Sequence, residues 1–307
     1  MSKRDRAHGV LLGLACGDAL GRPVEFKSEA RIAEEYGTVT EMIGHGSHRQ
    51  PAGTVTDDTE MALCIARSLI DQDDFDAGDI ADRFLNWYHD GPFDIGLMTA
   101  DALRQLKTGK SWDDAGQIVW EHRSEGQNAG NGSVMRCAPL ALAYDEYPER
   151  LVETSRQSSA ITHYDPRCQY GSAILNLTIT NLLHDRDRPL QSALEYVEAD
   201  APDELVTSLR GIPGSVSVEN LDTSGYVVTT LETALYDGLV ADSARDAIVA
   251  AVNRGGDTDT IGAIAGAVAG ARTGPTSIPE TWLSALTGVT AEELRNLADE
   301  LLNGVYR

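Results

Sequence analysis

Between Thr260 and Arg272 the chain is apolar and almost free of bulk. Gly262, Gly266 and Gly270 fall four residues apart, and alanine fills most of the places between them. That spacing puts the three glycines on one face of a helix. Each glycine in a helix interior costs about 1 kcal/mol relative to alanine, so a stripe of them makes sense where a second backbone approaches that face closely. The run is too apolar to lie in solvent as a loop. It predicts a central, tightly packed helix with Asp257 and Asp259 at its start.

Helical periodicity recurs along the rest of the 307 residues. Val10, Leu11, Leu14 and Ala15 mark one face of a first helix running on toward Asp18. Met61, Ile65 and Leu69 mark a second, and Phe84, Leu85 and Tyr88 a third. Ala173, Ile174, Leu177 and Ile179 indicate another, as do Leu294, Leu297, Ala298 and Leu301. Only Tyr226–Thr230 has real β-propensity, and it can equally open a helix around Leu231–Leu239. No Pro/Gly/Ser-rich linker and no 20–50-residue repeat divides the chain. The expectation is an all-α fold, a compact helical bundle forming one domain over residues 1–307. The acidic run Asp71, Asp73, Asp74, Asp76 and Asp79 does not fit calcium-loop spacing and reads as a solvated inter-helix loop.

Net charge is −23, with 48 acidic against 25 basic residues. Such a field repels nucleic acid and anionic membranes, so no direct nucleic-acid binding and no membrane association are expected. A phosphorylated ligand must be held locally, through metal ions or backbone N–H groups. Lys3, Lys27, Lys107 and Lys110 are the only lysines. Abundant Asp and Glu with so little lysine suggests a halophilic surface, since self-repulsion on this scale is tolerable mainly where salt screens it. Cys16, Cys64, Cys137 and Cys168 make no CxxC pair and no zinc-like spacing with His, so buried free thiols are expected. The N-terminus carries no signal-peptide pattern, and the most apolar run, Ile261–Ala271, is shorter than the ~20 residues needed to span a bilayer. A cytoplasmic protein follows as the expectation.

Two short acidic clusters carry the chemistry. Thr56-Asp57-Asp58-Thr59 and, about 200 residues later, Asp257-Thr258-Asp259-Thr260 each precede a helical run. Asp and Thr are common helix N-caps, and negative charge suits a helix start. A cap needs one side chain, however, and each cluster has two carboxylates. Bringing four carboxylates together without cations would raise their pKa values and destabilise the fold. Hard oxygen ligands of this kind suit magnesium or manganese, and a two-metal centre with ions roughly 3.5–4 Å apart resolves the conflict.

Five segments in order resemble the ADP-ribosylglycohydrolase family, and within it the dinitrogenase reductase-activating branch. They are Gly17-Asp18-Ala19-Leu20-Gly21 through Glu25-Phe26; Gly53-Thr54-Val55-Thr56-Asp57-Asp58-Thr59; Phe93-Asp94-Ile95-Gly96; Ala129-Gly130-Asn131-Gly132-Ser133-Val134-Met135-Arg136 with Thr162-His163 downstream; and Gly255-Gly256-Asp257-Thr258-Asp259-Thr260-Ile261-Gly262. They cover Gly9 to about Arg272; the region from about Arg186 to Ala250 and the C-terminal tail match less distinctly.

The resemblance implies a compact all-α fold around a central cleft holding two Mg2+ (or Mn2+) ions, with Thr56, Asp57, Asp58, Asp257, Asp259 and Thr260 as ligands. It implies hydrolysis of the glycosidic bond between ADP-ribose and an acceptor on a modified protein or a small ADP-ribose conjugate, by a monomer. Glu25, with the metal-holding Asp58 and Asp257, forms the implied catalytic set; either a carboxylate acts as base or the ions themselves lower the pKa of the attacking water. Asn128, Gly130, Asn131, Gly132 and Ser133 become phosphate or ribose contacts, in keeping with a small, Gly-rich loop that exposes backbone N–H groups. His163 would bond a phosphate or ribose oxygen, though a lone histidine is also often structural. Asp94 would face the acceptor, where a carboxylate pairs well with a guanidinium and favours ADP-ribosyl-arginine; the other use for Asp94 is to cap a helix starting near Ile95. Serine, acetyl and nucleic-acid conjugates are conceivable in the same superfamily. Two further readings are a two-metal phosphohydrolase acting on a nucleotide or pyrophosphate, and a non-catalytic ADP-ribose-binding relative. Release of AMP would mark the first and binding without hydrolysis the second.

Overall fold

A computed structural model describes residues 1–304 and Tyr306. Among the described residues the chain forms sixteen α-helices. In order they are α1 (Lys3–Gly21), α2 (Glu29–Tyr36), α3 (Asp57–Gln72), α4 (Ala77–His89), α5 (Leu97–Lys107), α6 (Trp112–His122), α7 (Ala138–Ala143) and α8 (Pro148–Ala160). After these come α9 (Pro166–Leu183), α10 (Pro189–Val197), α11 (Asp203–Arg210), α12 (Val227–Val240), α13 (Ala244–Asn253), α14 (Thr258–Thr273), α15 (Glu280–Ala285) and α16 (Ala291–Asn303). The β structure among these residues is confined to isolated bridges. The architecture is all-α.

At the centre α1 and α14 run antiparallel with their backbones in contact. A Cβ built on Gly9 would lie 2.1 Å from the carbonyl oxygen of Gly270, one on Gly13 2.0 Å from that of Gly266, and one on Gly17 2.0 Å from that of Gly262. Gly21 completes the ladder: a Cβ built there would lie 2.3 Å from the carbonyl oxygen of Thr258. Ordinary helix pairs keep their axes about 8–10 Å apart because side chains intervene; here none does. The Gly262/Gly266/Gly270 stripe therefore has a partner stripe, Gly9/Gly13/Gly17/Gly21, at the same spacing. Every residue of α14 from Thr258 to Ala271 is buried, as is α1 from Gly9 to Gly21. The remaining faces of α14 are covered by α12, α13 and α9, and α16 lies along α1. One contiguous apolar core runs through these helices.

Local signals account for the boundaries. Ser2 and Asp5 form a reciprocal capping box at the start of α1. Of the acidic run expected as a loop, only Asp73, Asp74 and Asp76 lie between α3 and α4, while Asp71 belongs to the end of α3 and Asp79 to the first turn of α4: Asp73 ends α3 in a left-handed conformation, the Asp76 carboxylate accepts from the amides of Gly78 and Asp79, and Asp71 and Asp79 both pair with Arg83. Tyr226–Thr230 opens α12 instead of forming a strand, leaving one bridge between Gly130 and Tyr226. Cys16, Cys137 and Cys168 are buried free thiols; Cys64, also a free thiol, is only half-buried on α3, with Sγ 4.0 Å from the Arg83 carbonyl of α4. No helix among the described residues is long and apolar enough to cross a membrane.

Gly13→Ala tests the central contact. The new methyl would meet backbone, which cannot rotate away, so a destabilisation on the order of 3 kcal/mol is expected, read as a drop of several degrees in Tm by circular dichroism. Gly211→Ala, whose Cβ would find its nearest neighbours at an ordinary 3.7 Å, should leave Tm nearly unchanged.

Candidate active site

The last turn of α1 holds both acidic clusters. One face carries Gly17 and Gly21 against α14, and the Thr258 hydroxyl donates to the Gly21 carbonyl at 2.8 Å. The other face carries Asp18, fully buried, whose carboxylate accepts from the Thr56 amide at 3.0 Å, the Thr59 amide at 3.2 Å and the Thr59 hydroxyl. These amides belong to the unsatisfied first turn of α3. Asp18 is thus a clamp that fixes where Asp57 and Asp58 begin their helix. Thr56 caps α3: its hydroxyl accepts from the Asp58 amide at 3.4 Å and donates to Asp58 Oδ2 at 3.3 Å.

Beyond α1, a 3₁₀ turn over Arg22–Val24 delivers Glu25. The segment after it pairs with the entry to α14. The Phe26 amide donates to the Gly256 carbonyl and the Gly256 amide to the Lys27 carbonyl, both at 2.8 Å. Gly255 and Gly256 have φ of +79° and +78°, and a Cβ on Gly255 would lie 2.5 Å from the Lys27 carbonyl oxygen, so only glycine fits this turn. The pairing brings carboxylate oxygens of Glu25, Asp257 and Asp259 within 4.8 Å of one another. Arg22, also fully buried, donates to the carbonyls of Thr54 (3.1 Å), His45 (3.2 Å) and Pro51 (2.9 Å) and folds the 45–54 loop over Glu25. That loop supplies His48, whose Nε2 bonds Glu25 Oε2 and lies 3.6 Å from Asp94 Oδ2. Asp94 is not a helix cap: Gly96 occupies the N-cap of α5.

The opposite wall is built from loops. The Asn131 amide donates to the Gly225 carbonyl (3.1 Å) and the Val227 amide to the Ala129 carbonyl (3.0 Å), joining the glycine-rich loop to the start of α12. The Asn131 side-chain amide donates to Asp257 Oδ2 at 2.7 Å and Thr230 Oγ1 at 3.1 Å, so Asn131 orients a carboxylate. His163, at the end of α8, is buried with its Nδ1 2.7 Å from Thr162 Oγ1.

Between the walls lies a cleft of about 470 Å³. Glu25, Asp57, Asp58, Asp94, Asp257, Asp259 and Thr260 line it, with Gly130, Asn131, Gly132 and His163. Three residues singled out in the sequence are off its wall. Thr56 supports Asp58; Asn128 Oδ1 accepts from Arg167 at 3.5 Å; and Ser133 is buried against Ser172, 3.4 Å between hydroxyls. Asp18, His48 and Gly225 belong to the site and were not singled out as site residues. Asp18 carries a signal, since a carboxylate between Gly17 and Gly21 in an apolar helix needs buried donors. His48 and Gly225 carried none, because their partners lie far away in the chain.

Burial is the main force on the carboxylates. It raises Asp57, Asp58 and Asp259 well above the usual carboxylate range, and their mutual repulsion and that of Asp94, Asp18 and Glu25 add to it. Glu25 is pushed up to about 7 by burial, against the His48 hydrogen bond; Asp18 rises to about 6 by burial, against the Thr59 and Thr56 donors. Burial also raises Asp94. His163 moves the other way, down to about 3, through burial and then the charges of Arg136 and Arg123.

The sequence profile of the ADP-ribosylglycohydrolase family matches residues 1–307. The chain belongs to the ADP-ribosylglycohydrolase family. It is 36% identical over 301 residues to the ADP-ribosyl-[dinitrogen reductase] glycohydrolase of Rhodospirillum rubrum, covering 98% of this chain and 97% of that protein. It is 33% identical over 305 residues to the ADP-ribosylarginine hydrolase Tri1 of Serratia proteamaculans, covering 97% of this chain and 79% of the relative. Among solved structures it superposes on a chain of an ADP-ribosylglycohydrolase-related protein complex with a TM-score of 0.82, at 36% identity and 98% coverage of both chains.

The residues of this ADP-ribosylglycohydrolase fit a divalent cation. Asp58 Oδ1 is buried with no hydrogen-bond partner among the described residues, and an orphaned anionic oxygen of this kind is costly unless a cation meets it. Six carboxylates face one cleft, and the donors are hard oxygens.

The direction of the shifts fixes a pH dependence. Folded values lie above the ordinary 3.8 and 4.5, so without cations these acids support the fold at low pH. That support is lost as pH rises through about 6 for Asp18 and about 7 for Glu25. Divalent cations bind the deprotonated form. Adding magnesium to chelator-treated protein should therefore raise Tm much more at pH 8 than at pH 5.5. Equal shifts in paired melting curves would contradict this account.

Proposed function

We propose that the chain hydrolyses the glycosidic bond between ADP-ribose and the guanidinium of an arginine on a modified protein or small conjugate, with two magnesium (or manganese) ions held by Asp57, Asp58, Asp257, Asp259 and Thr260, and with Thr56 supporting Asp58 from behind the wall. One observation carries the reading: Glu25, Asp257 and Asp259 converge at the floor of a cleft whose other wall is a glycine-rich loop and a neutral histidine. When bound, the ions supply positive charge that fixes ribose hydroxyls and favours an ionised water. The remaining steps belong to protein groups. Glu25, raised toward neutrality and bonded to His48, is suited to accept the proton of the attacking water at Oε1 or Oε2. As the anomeric C–N bond breaks, its electron pair leaves on the guanidine nitrogen and the water oxygen bonds to the anomeric carbon; the surrounding carboxylates favour the oxocarbenium-like state between, and the proton held by Glu25 passes to the departing guanidine. Asn131 holds Asp257 in place, and Asp94 faces the acceptor, where its carboxylate suits a guanidinium. The arginine acceptor is supported by Asp94 and by the similarity to the Serratia ADP-ribosylarginine hydrolase, and a modified protein as substrate by the similarity to the Rhodospirillum ADP-ribosyl-[dinitrogen reductase] glycohydrolase.

Incubation of ADP-ribosyl-arginine with the protein and magnesium should release intact ADP-ribose and arginine. Release of AMP would instead mean pyrophosphate cleavage. Glu25→Gln should lower kcat by about 10²–10⁴-fold with the helical circular dichroism retained, and Asp57→Asn or Asp259→Asn should lose at least as much. Full turnover by these variants, or in excess chelator, would sink the metal-dependent reading.

The same reading takes the protein to be a cytoplasmic, salt-adapted monomer acting as one domain over residues 1–307. Four free thiols suit a reducing compartment, and a net charge of −23 suits high ionic strength. Tm should rise steadily from 0.1 to about 2 M KCl as salt screens repulsion between surface carboxylates; a flat or falling curve would oppose the halophilic reading.

A further inference from the structure

Arg136 is fully buried, yet it makes no ion pair among the described residues. Its guanidinium carbon sits 4.6 Å from the centre of the Phe84 ring. Nη1 donates to the Gly132 carbonyl at 2.9 Å and Nη2 to Thr162 Oγ1 at 2.7 Å. A guanidinium has only donors, so the Thr162 oxygen accepts from it. Among the described residues the Thr162 hydroxyl hydrogen then has one acceptor, His163 Nδ1 at 2.7 Å. A neutral ring that accepts at Nδ1 carries its proton on Nε2. Burial and the nearby guanidinium keep the ring neutral. His163 is only 3% exposed and faces the cleft, and its Nε2 has no partner among the described residues. The ring edge lies along the glycine-rich loop: a Cβ on Gly132 would fall 3.0 Å from Nε2.

We propose that Arg136 is a positioning residue: through Thr162 it fixes His163 as the Nε2–H tautomer, so that the cleft receives a neutral donor for a phosphate or ribose oxygen of the ligand. The same guanidinium ties down the loop carbonyl beside that donor. Its positive charge stays behind the wall, where it cannot pair with the catalytic carboxylates. The inference rests on the hydrolase reading for the ligand's identity, though not for the relay itself.

Long-range ¹H–¹⁵N NMR of the His163 ring tests the relay without any assay of activity. The wild-type protein with magnesium should show Nε2 protonated and Nδ1 bare from pH 5 to 8. Thr162→Val should shift the ring toward Nδ1–H and weaken ADP-ribose binding about tenfold, whereas Thr162→Ser should keep both the tautomer and the affinity. A wild-type ring protonated at Nδ1 or at both nitrogens at pH 7 overturns the proposal, and so does a valine variant that keeps the Nε2–H spectrum. Should Thr162→Val fail to fold, the wild-type spectrum decides. Should the wild type bind no ADP-ribose, the hydrolase reading falls and the ring spectrum still judges the relay.

Discussion

The site depends on a contact in which two helices meet with no side chain between them. Glycines at four-residue spacing on α1 and α14 let carbonyl oxygens of one backbone occupy the volume where the other would carry methyl groups. Packing this close leaves little freedom to slide, because each step along the ladder is a steric lock. The lock ends at Gly21 and Thr258, where the chemistry begins. Asp18 projects from the same turn and accepts the first amides of α3. A short piece of α1 therefore sets the positions of two acidic clusters about 200 residues apart in the chain.

Holding those clusters together costs electrostatic energy. Burial and mutual repulsion raise Asp57, Asp58 and Asp259, and the protein supplies only partial relief. Hydrogen-bond donors are concentrated on Asp18, whose structural role needs no free lone pair, while Asp58 Oδ1 has no donor among the described residues. Arg22 and Arg136, both fully buried, spend their donors on carbonyls and a threonine hydroxyl instead of on the cleft acids. The cations built into the fold organise loops and leave the acids unpaired. That allocation is unfavourable for a protein alone and suited to one that takes up metal.

Much of this frame is legible in the sequence. The stripe in α14 stands out because alanine surrounds its glycines, so nothing else explains their cost. Its partner in α1 is harder to see: Val10, Leu11, Leu12 and Leu14 lie between the glycines and read as an ordinary apolar face. The acidic clusters are legible because two carboxylates within three residues exceed what a cap requires. Tyr226–Thr230 is ambiguous, because β-branched residues at a helix start carry the same local signal as a strand, and only the packing of α12 on α14 resolves it. His48 is illegible for a different reason. Its position follows from a loop closed by Arg22 on backbone carbonyls, and a carbonyl has no signature in sequence.

The two walls of the cleft also explain how so acidic a protein can hold a ligand that itself carries negative charge. On the proposed reading, ADP-ribose presents neutral hydroxyls at one end and a diphosphate further along. A lysine or arginine placed in the cleft for the diphosphate would find stronger partners in Glu25, Asp94 or Asp257 only a few ångströms away, and would block the cation site as well. Backbone amides and a neutral imidazole avoid that competition, since a dipole too weak to capture a neighbouring carboxylate can still bond a phosphate oxygen brought to it. The recognition is weaker per contact and depends on orientation, which demands a rigid wall. Asn131 bonded to Gly225, and Arg136 bonded to Gly132 and Thr162, supply that rigidity. The charge that would have bound the ligand directly serves instead to hold its neutral donors still.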